Sequence, residues 1–215
     1  MDIVDLGITD FSEAYQVQLD LVKKVSLGLA EDTLLITEHR SVITIGRRGS
    51  WDNIFKSHED LSSCGIEVFN IDRGGDVTYH GPGQLIAYPI FKLENEGRDI
   101  HRFLEFLEEI ARHFLMQYGI IGGSRPGFRG AWIKEKKIAS IGIGVKKWVT
   151  YHGLAININC DLLPFSFIRP CGIKDVEITS LEKVLGYKLD IDDAKNKLKS
   201  SFKEVSLLAE AVCKD

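Results

Sequence analysis

Between residues 131 and 159 the chain is written with a period of two, which commits this stretch to two or three neighbouring β-strands. In the run KKIASIGIGVKKWVTYHGLAININ, Ile141, Ile143 and Val145 alternate with Ser140, Gly142 and Gly144. The later half repeats the device, with Leu154, Ile156 and Ile158 opposite Gly153, Ala155 and Asn157. Glycine inside a strand weakens it and often marks the close approach of a ligand or another backbone. Two readings of these small-residue faces stand side by side. They border a slot for a slender chain, or they pack tightly against a helix.

Further strands are expected over residues 2–6, 33–37, 42–46, 67–71 and 85–91. Phe11, Tyr15, Leu19, Val22 and Val25 recur at helical spacing, so a helix should run to about residue 28. Asp10 with Glu13 three residues on predicts a capping box at its start. Asp99 opens the clearest helix, whose stripe runs from Ile100 through Phe103, Leu107, Ile110 and Phe114 to Tyr118, with Gly119 as its stop. A last helix is predicted over 192–212. Strands come in runs beside separate helices rather than in strict βαβ alternation, so the class is α+β. At 215 residues, without repeat or linker, the chain suits a single domain over 1–215, or one domain with a small appendage. Its core should span about 30–185, with a C-terminal helical piece at about 186–215.

Twenty-seven basic against thirty-one acidic residues give a net charge of −4, which argues against nucleic-acid binding. No apolar run approaches the ~20 residues of a membrane span. The opening MDIVDLGITDFSEAY lacks the marks of a secretion signal or transit peptide, so a cytoplasmic protein with no membrane partner is expected. Four cysteines, Cys64, Cys160, Cys171 and Cys213, form no CxxC pair, and neither zinc spacing nor HExxH is present. No metal is expected.

Two further segments carry chemistry. RGGDVTYHGPGQ, residues 73–84, holds four glycines beside Arg73, Thr78, Tyr79 and His80, more than a structural turn needs, and reads as a ligand-contacting loop. It matches neither phosphate-cradle pattern, GxxxxGK[ST] or GxGxxG. In RPCGI, residues 169–173, Pro170 biases Arg169 towards an extended conformation and Gly172 permits a sharp turn after Cys171. Such a corner is a candidate exposed thiol, although a lone cysteine is more often buried and inert. Cys64, Cys160 and Cys213 read as core or surface residues. Of six histidines, His101 and His113 fall on a helix as packing or surface residues, while His80 and His152 are expected in glycine-bounded loops as candidate ligand contacts.

With these segments in place, the sequence resembles the lipoyl(octanoyl) transferase B family, the octanoyltransferases of lipoate biosynthesis. The resemblance runs through EHRSVITIGRR, RGGDVTYHGPGQLIAYPI, KIASIGIGVKKWVTYHGLAININ, FSFIRPCGI and TSLEKVLG, in order and at fitting spacing. It implies a mixed sheet flanked by helices, the fold of biotin and lipoate protein ligases. It implies an acyltransferase that needs no cofactor and catalyses the first step of endogenous protein lipoylation. The donor would be octanoyl-acyl carrier protein. The acceptors would be lysines of lipoyl domains in 2-oxo acid dehydrogenase E2 subunits and the glycine cleavage H protein. Carried over residue by residue, Cys171 is the nucleophile that forms a thioester and Lys137 its partner. The implied substrate contacts are Arg73, Gly74, Gly75, Asp76, Val77, Thr78, Tyr79 and His80, then Ser140, Ile141 and Gly142, then Gly153, Leu154 and Ala155. Competing readings are an ATP-dependent lipoate or biotin protein ligase, suggested by Gly46-Arg47-Arg48-Gly49, a non-catalytic acyl-binding protein of the same fold, and a cysteine hydrolase. The presence of both Cys171 and Lys137 speaks against the second.

Overall fold

The computed structural model describes residues 1–93, 98–172 and 176–212; the side chains of Cys171 and of residues 209–212 lie outside that description, as do Ile173 and Cys213. The alternating stretch forms β8 (Phe128–Ile133), β9 (Lys136–Lys146) and β10 (Val149–Asn157), an antiparallel meander. It continues through β6 (Gln84–Ile90) and β2 (Thr33–His39), both antiparallel, to β1 (Asp2–Thr9), which lies parallel to β2 at the edge. At the other edge β7 (Gly123–Arg125) pairs with β8, and the short β11 (Glu177–Ile178) runs parallel to β9. This is the expected mixed sheet. A second, three-stranded sheet of β4 (Glu67–Asn70), β3 (Val42–Ile45) and β5 (Val77–His80) stands apart from it.

Helix α1 (Phe11–Ser26) covers one face of the large sheet, where Ala14, Val22 and Val25 meet Leu35, Ile86 and Tyr88. On the other face lies α3 (Ile100–Met116), seating Phe103, Leu107, Ile110 and Phe114 against Ile143, Leu154 and Ile156. Asp99 caps it, accepting from the backbone N–H groups of His101 and Arg102 at 2.8 and 3.1 Å. Helix α5 (Ile191–Val212) joins this core cluster through Ala194, Leu198, Phe202 and Val205. Two short helices, α2 (His58–Ser63) and α4 (Leu181–Leu185), complete the described chain. No helix among the described residues is long and apolar enough to cross a membrane.

Two local expectations fail. The Asp10 carboxylate does not cap α1; it pairs with Arg40 at 3.1 Å, an interaction that brings in a residue thirty positions away. The segment read as one long loop is half strand: Val77–His80 is β5, and Gln84 already opens β6.

Candidate active site

A cavity of about 270 Å³ lies along β9 and β10, beneath the loop between β4 and β5. Its walls include Arg73, Gly74, Gly75, Asp76, Thr78 and His80 from that loop and β5, and Lys137, Ser140, Ile141 and Gly142 from β9. Gly153, Leu154 and Ala155 come from β10. Strand alternation sends Val77 and Tyr79 the other way, into the apolar cluster under the small sheet, where the Tyr79 ring meets Phe165 edge-on. Those two side chains therefore do not reach the cavity.

The small residues hold backbones close. The Gly74 N–H donates to the Ile143 carbonyl at 2.8 Å, stitching the loop to β9. A Cβ on Gly142 would sit 2.9 Å from the Gly74 carbonyl oxygen and 3.2 Å from Arg73 Cδ. Gly144 is filled by the Tyr151 ring, and Gly153 faces the backbone of Ala87. Tight packing against a helix was one reading of these faces; their close neighbours are instead a loop, a cross-strand ring and an adjacent strand.

Lys137 owes its place to a bulge. Trp132 pairs with Lys137 but Ala131 pairs with Ala139, so β9 carries one extra residue at Ile138. The bulge takes Lys137 out of phase with Ala139 and Ile143, which belong to the core under α3. Lys137 is 3% exposed, lines the cavity, and holds its Nζ 5.5 Å from the centre of the Trp132 ring.

Cys171 lies in a short 3-10 turn, Pro170–Gly172. That turn is tied down on both sides: the Arg169 N–H donates to the Asn53 carbonyl at 2.7 Å, and the Asn53 side chain donates to Asp76 Oδ2 at 2.7 Å. Gly172 has φ +67, and a Cβ there would stand 2.5 Å from the same Asp76 oxygen. Only glycine lets the turn approach so closely. The backbone that carries Cys171 thus abuts Asp76, and Asp76 shares the cavity with Lys137.

Residues 10–203 match the lipoyl protein ligase A/B catalytic domain family. The octanoyltransferase of Caldicellulosiruptor saccharolyticus is 46% identical over 95% of this chain and 88% of its own. The chain belongs to this family, and within it to the octanoyltransferases. Solved structures extend the likeness in fold alone. A bipartite lipoate protein ligase from Thermoplasma acidophilum superposes with a TM-score of 0.69 at 17% identity, over 95% of this chain and 82% of its own. The biotin protein ligase of Aquifex aeolicus gives 0.58 at 14%, over 95% and 69%.

The octanoyltransferase cavity also has walls that the sequence reading did not count among the substrate contacts: Phe11, Arg47, Arg48, Tyr88 and Arg129, with His152 kept only as a candidate ligand contact. Behind them runs a polar network. The Asp72 carboxylate accepts from Tyr15 Oη at 3.0 Å, from Tyr151 Oη, and from His152 Nε2 at 3.4 Å. These bonds, that from His152 foremost, hold Asp72 well below the usual carboxylate range, and burial pushes Tyr15 up to about 12. His39 Nδ1 lies 3.2 Å from the Thr9 carbonyl and so carries the hydrogen, leaving Nε2 to accept from Tyr88 Oη at 2.7 Å. The signal for this network was present in Asp72 beside Arg73 and in Tyr15 on the apolar stripe of α1. Its partners, however, lie more than fifty residues apart in sequence.

Burial lowers His39 to about 4 and His80 to about 3, against an ordinary 6.5. Above pH 6.5 these rings are neutral whether the octanoyltransferase is folded or not. Below it the unfolded chain gains protons that the folded one refuses until about pH 4. Stability is therefore lost as pH falls from about 6.5 to 4, by up to about 1.4 kcal/mol per pH unit for each ring. Thermal melts between pH 7 and 4 should show Tm falling steadily across that window. A flat profile would contradict the buried neutral histidines.

Proposed function

We propose that this protein moves an octanoyl group from octanoyl-acyl carrier protein to a lysine of a lipoyl domain, through a thioester on Cys171. The observation that carries the reading is the placement of the Cys171 turn against Asp76, on the wall of a cavity whose lining includes the buried Lys137. The kinship with octanoyltransferases supplies the acyl group.

The chemistry suits these residue types. The Cys171 thiolate attacks the carrier thioester, the carrier's sulfur leaves as a thiol with a proton from the Lys137 ammonium, and a new thioester forms on the protein. An ammonium nearby lowers a thiol pKa from ~8.5 towards roughly 3.5–7.5, and Lys137 is the group proposed for that work. The acceptor lysine then attacks as a neutral amine, with Lys137 in its uncharged form taking the proton, and the Cys171 sulfur leaves as the amide forms. A thioester and an amine going to an amide is downhill, so the cycle uses no ATP. Backbone N–H groups near Gly172 or in the glycine-rich loop are the proposed donors to the tetrahedral oxyanion.

Mass spectrometry after mixing the protein with octanoyl-carrier protein alone tests this. One octanoyl group should appear on the protein without ATP or Mg²⁺ and vanish when a lipoyl domain is added. A strict demand for ATP would move the protein to the ligase reading. Release of free octanoate without transfer would make it a hydrolase.

A further inference from the structure

Away from Lys137, the cavity lining along β9 and β10 stops at Ile143 and His152, where the His152 imidazole stands beside the rings of Phe11 and Tyr88. His152 pairs with Ile143, six positions along β9 from Lys137 and on the far side of the bulge at Ile138. At that end His80 and His152 both line the cavity and lie near each other. Each ring has one nitrogen fixed from behind. His80 Nδ1 meets Gln84 Oε1 at 2.6 Å, and His152 Nε2 meets the Asp72 carboxylate at 3.4 Å. The Gln84 amide is itself oriented, because its Nε2 donates to Asn157 Oδ1 at 2.8 Å and to the Tyr79 carbonyl at 3.3 Å.

Gln84 Oε1 and the carboxylate only accept, so the nitrogens facing them carry the hydrogens. Burial keeps both rings neutral. The remaining nitrogens, His80 Nε2 and His152 Nδ1, are then lone-pair acceptors, and neither has a hydrogen-bond partner among the described residues. His152 is also held at φ +55, its N–H on Gln18 Oε1 at 2.7 Å and its ring stacked on Tyr15 at 5.3 Å. Such a backbone conformation persists only where its surroundings over-determine it, and it collects at working sites.

We propose that His80 and His152 form a polar stop that determines which acyl chains the cavity takes, an inference that rests on the acyl reading above. A chain that ends short of the two imidazoles leaves them hydrated. A longer alkyl chain drives its methyl group against them and strips them of donors. A chain of that same length ending in a hydroxyl supplies the donor and is accepted. Selection at this end is then by hydrogen-bonding chemistry as well as by length.

Decanoic and 9-hydroxynonanoic acids are isosteres that differ only in a terminal methyl or hydroxyl, and their binding to the whole protein can be compared by calorimetry with octanoic acid as reference. The hydroxy acid should bind about tenfold or more tightly than decanoic acid, the scale on which unpaired buried polar groups discriminate. In His80→Phe and His152→Asn the preference should fall to within about twofold, asparagine being chosen because it tolerates positive φ. Circular dichroism spectra and melts close to those of the unaltered protein should show that both variants are folded. Equal binding of the two isosteres by the unaltered protein, or an unchanged preference in both variants, would overturn the stop. Failure of octanoic acid itself to bind would overturn the acyl cavity and the stop together. Because binding is read without turnover, loss of transfer with the isostere preference intact would count against the transferase mechanism alone.

Discussion

Cys171→Ala should remain folded and lose octanoyl transfer by roughly three orders of magnitude or more, the scale seen when a covalent nucleophile is removed. Cys171→Ser should be nearly as poor, because a serine hydroxyl stays protonated where a thiol ionises. The other described cysteines offer no substitute. Cys160 is buried, and burial pushes its thiol up to about 12, so almost none is thiolate near neutrality. Cys64 is exposed, at the C-terminal end of α2, and does not line the cavity. Peptide mapping of the octanoylated protein should find the label on Cys171, released by neutral hydroxylamine. A label on Cys64, Cys160 or Cys213, or full activity in Cys171→Ala, would end the covalent mechanism.

Lys137→Ala should cost about 10²–10⁴ in transfer rate, the range for a positioned acid–base group. The loss has two separable parts. Without an ammonium beside it, the Cys171 thiol should titrate back towards ~8.5, which the pH dependence of iodoacetamide alkylation would read directly. Without a neutral amine to take the acceptor's proton, the second half of the cycle should slow even when the thioester is already formed. Acylated variant mixed with lipoyl domain isolates that step. An unchanged thiol pKa would remove the first role and leave the second standing.

What the sequence disclosed depended on how local the cause was. The strands of the meander, helix α3 with its Asp99 cap and Gly119 stop, and the extent of α5 follow from neighbouring residues, and they stand close to where periodicity puts them. The Asp10 cap failed because Arg40, across the turn between two strands, offered its carboxylate a charged partner. Val77 and Tyr79 looked equivalent to their neighbours in a glycine-rich motif, yet β5 turns alternate side chains into separate environments. Lys137 reaches the cavity because of a bulge, and a one-residue change of register leaves no trace in composition or spacing. The Asp72 network escaped notice for a related reason. Its members come from α1, the segment before Arg73, and β10, three places that only the folded chain assembles.

The pairing of β11 with β9 has a mechanical side. Ile178 lies in register with Lys137, and the Thr179 N–H donates to the Lys137 carbonyl at 2.9 Å. The Asn157 side chain donates to the Thr179 carbonyl at 2.9 Å, fastening the same point from the other side. The chain leaving the Cys171 turn therefore reaches, within seven residues, the peptide group of its own proposed partner. In sequence, then, the proposed nucleophile and its proposed partner are linked between two anchor points, Gly172 beside Asp76 and Thr179 on Lys137. Adding or deleting a single residue in that link would leave every wall of the cavity intact while putting the two reactive groups out of step, much as a clasp fails when its strap is cut one hole too short.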